Sequence, residues 1–237
     1  MKSIKRLFAM GLAVMMALSI PFSVSAAELE DAPIDESRTG SLTIYKYDLT
    51  NAEKDGVWDS SYVSTGVFDQ TGVNDVLGGS GTSLGNGETG YGYVEFSYIQ
   101  VADIFQFSES ENDSRTDSHV EILYAIDKTK GADFLKALNL ADGAQRYTNA
   151  DALDEAKYFY QSDVLIDALA AALESNSTVV KNALEAYISA NGGAAMPLTD
   201  AYGKTKAENL NLGLYLVVET KVPEMVVSTT DPFLVSV

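Results

Sequence analysis

Lys46 and Glu219 are the two residues whose setting in the sequence gives them chemistry. Glu219 sits at the far end of GLYLVVETKVP, Gly213 to Pro223. The run Leu214-Tyr215-Leu216-Val217-Val218 lacks the alternation of a half-exposed strand, so it predicts a strand covered on both faces, with Glu219 drawn under the same cover. Burial favours the protonated form of a glutamate and makes it a proton donor when a partner lies close. Lys46 belongs to SLTIYKYD, Ser41 to Asp48. A strand of period two places Leu42, Ile44 and Lys46 on one face and Ser41, Thr43, Tyr45 and Tyr47 on the other. A desolvated lysine becomes a neutral amine, which is its nucleophilic form. Two plainer readings stand beside this one. Lysine on an edge strand guards against aggregation while Tyr45 and Tyr47 supply the buried face, and Glu219 is an ordinary strand-end residue before Lys221 and Pro223.

The elements that must position these residues follow from the pattern along the chain. Residues 1–26 read as a secretory signal peptide, with Lys2, Lys5 and Arg6 before an apolar core from Leu7 to Ile20 and Val24-Ser25-Ala26 at the cleavage site. Residues 27–39 are acidic and aperiodic and read as a flexible leader, with the ordered domain spanning 40–237. Leu49 to Phe68 reads as loop, and Gly78 to Gly92 as a glycine-rich loop without a phosphate-binding pattern. Tyr91 to Phe107 predicts one long or two consecutive strands, and His119 to Ile126 another, joined by the polar run around Glu109 to Ser118.

A helical block is predicted over about 130–193. It comprises a short helix at Ala132 to Leu138, a second at Ala150 to Gln161 with Leu153, Ala156 and Tyr160 on one face, and a third capped by Ser162-Asp163 with Leu165, Ile166, Leu169 and Leu173 as its stripe. A fourth restarts at Asn176-Ser177-Thr178, carries Val180, Ala183, Leu184, Tyr187 and Ile188, and ends at Asn191-Gly192-Gly193. Strands return at Gly213 to Lys221 and Pro232 to Val237. The fold class expected is mainly β with an α insertion: one β-sandwich, immunoglobulin-like in layout, carrying the helical block.

Composition narrows the function. The chain has 237 residues and a formal charge of −18. Removal of residues 1–26 leaves 13 of the 16 lysines and arginines against all 34 aspartates and glutamates, a formal charge of −21. Nucleic acid and anionic membrane surfaces are poor partners for such a chain, and no second apolar stretch is long enough to embed the mature chain in a membrane. With no cysteine and His119 as the single histidine, neither a zinc site nor a histidine-based nucleophilic site can be assembled. The acidic run Glu109 to Asp117 lacks calcium-loop spacing and reads as a solvated hairpin. No cofactor or metal is expected.

GSLTIYKYD, GLYLVVETKVPEMVVSTTDPFLVSV and the intervening NSTVVKNALEAY and NGGAAMPLTDAYGKT together resemble the N-terminal domain of Gram-positive, sortase-assembled backbone pilins, over about Gly40 to Val237. The resemblance implies a structural subunit of a covalent cell-wall pilus, with other pilin subunits and a pilus-class sortase as partners and no enzymatic turnover. It also implies that Lys46 is the amine and Glu219 the promoting acid of an intramolecular isopeptide bond. The acceptor is the departure: no asparagine follows Glu219, and Asp231 is a weak substitute. An acceptor beyond Val237 is therefore expected, together with a Y-P-K-N pilin motif and an LPxTG sorting signal in a longer precursor. The competing expectation is a minor pilin or surface adhesin that presents its loops to a host or polysaccharide ligand.

Overall fold

The computed structural model describes residues 14–17, 34–35, 37–48, 56, 82–83, 93–109, 119–200, 203–223 and 229–237. The loops expected at 49–68, 78–92 and 110–118 fall almost wholly outside these residues. The described strands are β1 (Val14–Ala17), β2 (Thr39–Tyr45), β3 (Tyr47–Asp48), β4 (Thr82–Ser83), β5 (Glu95–Glu109), β6 (His119–Asp127), β7 (Lys157–Tyr160), β8 (Ala194–Ala195), β9 (Lys204–Asn211), β10 (Gly213–Lys221) and β11 (Phe233–Ser236). Two α-helices accompany them, α1 (Ala132–Ala137) and α2 (Ser162–Ala190), with one 3₁₀ turn at Thr148–Ala150.

The strands form a sheet of order β1-β2-β9, a larger sheet of order β11-β10-β5-β6-β7 with β8 also paired to β5, and a small β3-β4 ladder. All the pairings are antiparallel. The β10 run shows why it lacks alternation. Tyr215 and Val217 pack with Leu42, Ile44, Phe96 and Ala207 in a core shared by the two sheets. Leu214, Leu216 and Val218 pack on the opposite face with Phe134, Leu165, Leu169, Leu184 and Ile188 of the helices. Both faces are thus dry, and the architecture has three layers: small sheet, large sheet, helices. The mainly-β sandwich with a helical block is observed.

The helical region differs in detail from the sequence reading. Residues 150–161 do not form a helix: Lys157–Tyr160 pairs with β6 as strand β7, and Leu153 is exposed. Three consecutive aromatics, Tyr158-Phe159-Tyr160, suit a pleated surface; Tyr160 is buried on the helix side and Phe159 on the other, where it meets Phe105 edge-on at a centroid distance of 5.3 Å. The third and fourth helices are continuous except at Asn176, whose φ of −159° and ψ of 80° break the helix. The Asn176 side chain accepts from the Val179 N–H at 3.3 Å, so it caps the second half at the predicted restart. The first half starts after Gln161 without a side-chain cap, so Ser162 lies within the helix and not at its cap. Ile166 and Ala183 of the predicted stripes face solvent. The end at Asn191-Gly192-Gly193 is a Schellman turn: Gly192 has φ +78° and the Gly193 N–H reaches the Ile188 carbonyl at 2.9 Å.

Strand β9 was not predicted. KTKAENLN is polar and charged, as an outer strand of a sheet can be; only Thr205, Ala207 and Leu210 turn inward. Residues 14–17, read as part of a signal-peptide core, pair with β2 in the register Val14↔Tyr45 to Ala17↔Leu42.

Gly213 sits where β10 closely approaches β5. A Cβ there would lie 2.5 Å from the Ala102 carbonyl oxygen and 2.5 Å from Gln100 Nε2. Gly213→Ala is therefore expected to destabilise the fold by about 1–3 kcal/mol in urea unfolding, the cost of forced overpacking; a change below about 0.5 kcal/mol would show that β5 gives way freely.

Candidate functional site

Strand parity decides where the lysine and the glutamate point. On β2, Leu42 and Ile44 are fully buried between the sheets, and Lys46, two residues on, follows them inward with 2% exposure. Its backbone is anchored at that point: the Lys46 N–H donates to the Gly203 carbonyl at 2.8 Å. Gly203 holds that place in a turn with φ +71°, a left-handed conformation that favours glycine. On β10, Glu219 continues the face of Tyr215 and Val217, and its side chain is 0% exposed. The two predicted residues, 173 positions apart in sequence, meet in the dry space between the sheets.

Lys46 Nζ lies 3.2 Å from Glu219 Oε1 and donates to Oε2 at 3.3 Å. It also donates to Thr230 Oγ1. The Thr230 backbone N–H donates in turn to Glu219 Oε2. Oε1 is buried and receives no aligned hydrogen bond, so it is held by charge contact with Nζ alone. The ensemble is a closed triangle of amine, carboxylate and threonine that ties the end of β2 to the end of β10 and to the segment leading into β11. Net charge within the pair is zero whether the proton resides on nitrogen or oxygen, and this makes its burial tolerable.

Sequence reasoning did not find Thr230. Its neighbours point the other way: Lys181 of α2 donates to Thr229 Oγ1 at 3.1 Å and pairs with Asp231 Oδ1 at 2.8 Å. Thr229 and Asp231 thus face the helix while Thr230 faces the core. Asp231 is 63% exposed at its side chain and engaged with Lys181 and Ser177, so it does not serve as a substitute acceptor for Lys46. Strand β11 leads away from the triangle. Phe233 pairs with Val217 and Ser236 with Leu214, so the strand runs away from Glu219 toward Gly213, where Val237 exchanges backbone hydrogen bonds.

Among the described residues no cluster of histidine, aspartate or glutamate is arranged to hold a metal ion. No helix among them is long and apolar enough to cross a membrane.

No protein-family model matches the chain, and no curated protein matches it. Two solved structures are similar. One is the pilus backbone RrgB from Streptococcus pneumoniae, at 15% identity over 65% of this chain and 32% of that one, with a TM-score of 0.21. The other is the full-length RrgB pilus protein from the same organism, at 13% identity over 65% and 23%, with a TM-score of 0.22. The chain spans about a third or less of the length of these proteins, and likeness at this level carries no argument about its chemistry.

The triangle itself generates a stability test. Lys46→Met strands a carboxylate in a dry core, and Glu219→Gln strands an ammonium; each is expected to cost about 3–5 kcal/mol in urea unfolding. The double variant Lys46→Met/Glu219→Leu removes both charges and is expected to recover most of that loss. Additive losses in the double variant would mean that the two charges do not compensate each other.

Proposed function

We propose that this chain is the N-terminal domain of a structural subunit of a covalently polymerised cell-surface pilus, exported through residues 1–26 and joined to other subunits by a pilus-class sortase. The observation that carries the reading is the meeting of Lys46 and Glu219 between the sheets, because it gives the two residues singled out by the pilin-like motifs a common, water-free location. A shaft subunit transmits tension between its ends, and a buried clamp from β2 to β10 and the start of β11 resists the parting of the two sheets. In this role the chain catalyses no turnover.

The same geometry supports reading Lys46 and Glu219 as the amine and promoting acid of an isopeptide bond whose acceptor position is residue 230. Thr230 offers no carbonyl carbon, so the native contact is a hydrogen bond and the amine stays free. A threonine Oγ1 and an asparagine Cγ are both bonded directly to Cβ. In Thr230→Asn the carboxamide carbon therefore takes the place now held by the hydroxyl, against Lys46 Nζ. Attack by the neutral amine on that carbon forms the Nζ–Cγ bond, Glu219 delivers a proton to the departing nitrogen and recovers one from Nζ, and ammonia leaves.

Intact-mass measurement is expected to show the native chain at its unmodified mass and Thr230→Asn lighter by about 17 Da, the mass of the ammonia released. The loss is expected to vanish when Glu219→Ala is added. A crosslink over this separation is worth about 5 kcal/mol by the chain-entropy model for disulfides, so the variant should also unfold later in denaturant. An unshifted mass in a folded Thr230→Asn protein would remove residue 230 from the acceptor role, and a native chain already lighter by 17 or 18 Da would overturn the reading of Lys46 as free.

The polymer reading has its own test. Cell-wall extracts boiled in detergent and probed for this chain are expected to show a ladder of high-mass species that collapses to the monomer when the pilus-class sortase is deleted. A single monomeric band in both strains would favour an accessory or adhesive subunit.

A further inference from the structure

Thr230 reaches the buried triangle from a segment outside the strands. Residues 229–232 precede β11 and belong to no strand, and Pro232 has no backbone N–H to give to a neighbour. Side chains fix the segment from two directions. From the core, Lys46 donates to Thr230 Oγ1 and the Thr230 N–H donates to Glu219 Oε2. From the helix layer, Lys181 Nζ donates to Thr229 Oγ1 at 3.1 Å and pairs with Asp231 Oδ1 at 2.8 Å. Ser177 Oγ donates to the same Asp231 oxygen at 3.4 Å.

We propose that Lys181 is a positioning residue for the buried site, and that α2 acts through it to hold residue 230 against Lys46 and Glu219. The side chains of the segment alternate: Thr229 and Asp231 face the helix and Thr230 the core. A slip of one residue would turn Thr229 or Asp231 toward the amine in place of Thr230. The core contacts do not prevent this by themselves, because a buried ammonium attracts a carboxylate more strongly than a hydroxyl. Lys181 grips both outward residues at once with a single three-donor ammonium, and Asp231 stays 63% exposed.

Lys181 is well anchored for that task. The break at Asn176 sets the phase of the second half of α2. Ser177 and Lys181, four residues apart, then share the face toward the segment, while Val180, Leu184 and Ile188 are buried in the core with Leu214, Leu216 and Val218 of the large sheet. The proposal deepens the reading of Lys46, Glu219 and residue 230 as one site, and only the second of its two tests rests on residue 230 as the acceptor position.

The first test is amide hydrogen exchange in the secreted chain, read by NMR, since the Thr230 N–H reports its own bond to Glu219. Lys181→Met is expected to speed exchange at Thr230 by about ten-fold or more while the amides of β6 keep their rates. Lys181→Arg retains the charge and the donors and is expected to retain the protection. Asp231→Ala, a change at an exposed side chain, is expected to speed Thr230 in the same selective way. Unchanged exchange at Thr230 in Lys181→Met overturns the proposal. Acceleration shared equally by β6 also overturns it, because that is the mark of a general loss of stability. In the second test Lys181→Met is added to Thr230→Asn, and release of the ammonia, about 17 Da, is expected to slow about ten-fold and to recover with Lys181→Arg. An undiminished rate overturns the proposal. Failure of Thr230→Asn to lose mass while Lys181 is in place overturns the acceptor reading instead, and the exchange result then decides for or against Lys181.

Discussion

The rest of the structure depends on the isolation of one ion pair from water. Removing a carboxylate or an ammonium from solvent costs several kcal/mol for each ion, and only a partner in good geometry offsets it. Lys46 and Glu219 are each acceptable between the sheets because the other is there. Neither sheet supplies both. The pair exists when the β2 face bearing Leu42 and Ile44 lies on the β10 face bearing Tyr215 and Val217, so the ionic contact and the sandwich core specify each other. Thr230 completes the arrangement: its hydroxyl accepts from the amine and its backbone N–H satisfies the carboxylate, which draws the segment before β11 to the same point.

The opposite face of the large sheet is ruled by ordinary packing, with α1 and α2 laid over Leu214, Leu216 and Val218. Phe134 and Tyr187 join the two helices there at a ring separation of 5.9 Å. Burial pushes the Tyr160 hydroxyl up to about 12, and it has no hydrogen-bond partner within this layer. Lys181 links the layers by holding Thr229 and Asp231, and this leaves Thr230 turned inward. The alternation of three short residues, Thr229-Thr230-Asp231, therefore apportions one segment between a helix and a charge pair.

The sequence revealed what rests on local pattern. The unbroken apolar run Leu214 to Val218 announced a strand with two covered faces, whereas the period-two spacing of Leu42, Ile44 and Lys46 offered the inward lysine beside an equal alternative with Tyr45 and Tyr47 inward, which burial of Lys46 decides. Helix punctuation at Asn176 and at Asn191-Gly192-Gly193 was legible because capping is a property of neighbouring residues. Features set by distant partners were not. Strand β9 hides in the polar string KTKAENLN because it lies outside β2, and Tyr158 to Tyr160 takes strand form because β6 offers an edge, against a weak helical spacing. Thr230 was illegible for the same reason, since its role depends on Lys46, 184 positions away.

Amine-reactive labelling read by peptide mass spectrometry tests the central claim most directly. Lys46 is expected to resist modification in the folded chain, while exposed lysines such as Lys128 and Lys130 react, and to react fully once the chain is unfolded. Modification of Lys46 in the folded protein at the rate of the exposed lysines would contradict its burial against Glu219. Failure to react even after unfolding would mean that the amine is already covalently engaged, and would contradict the free ion pair.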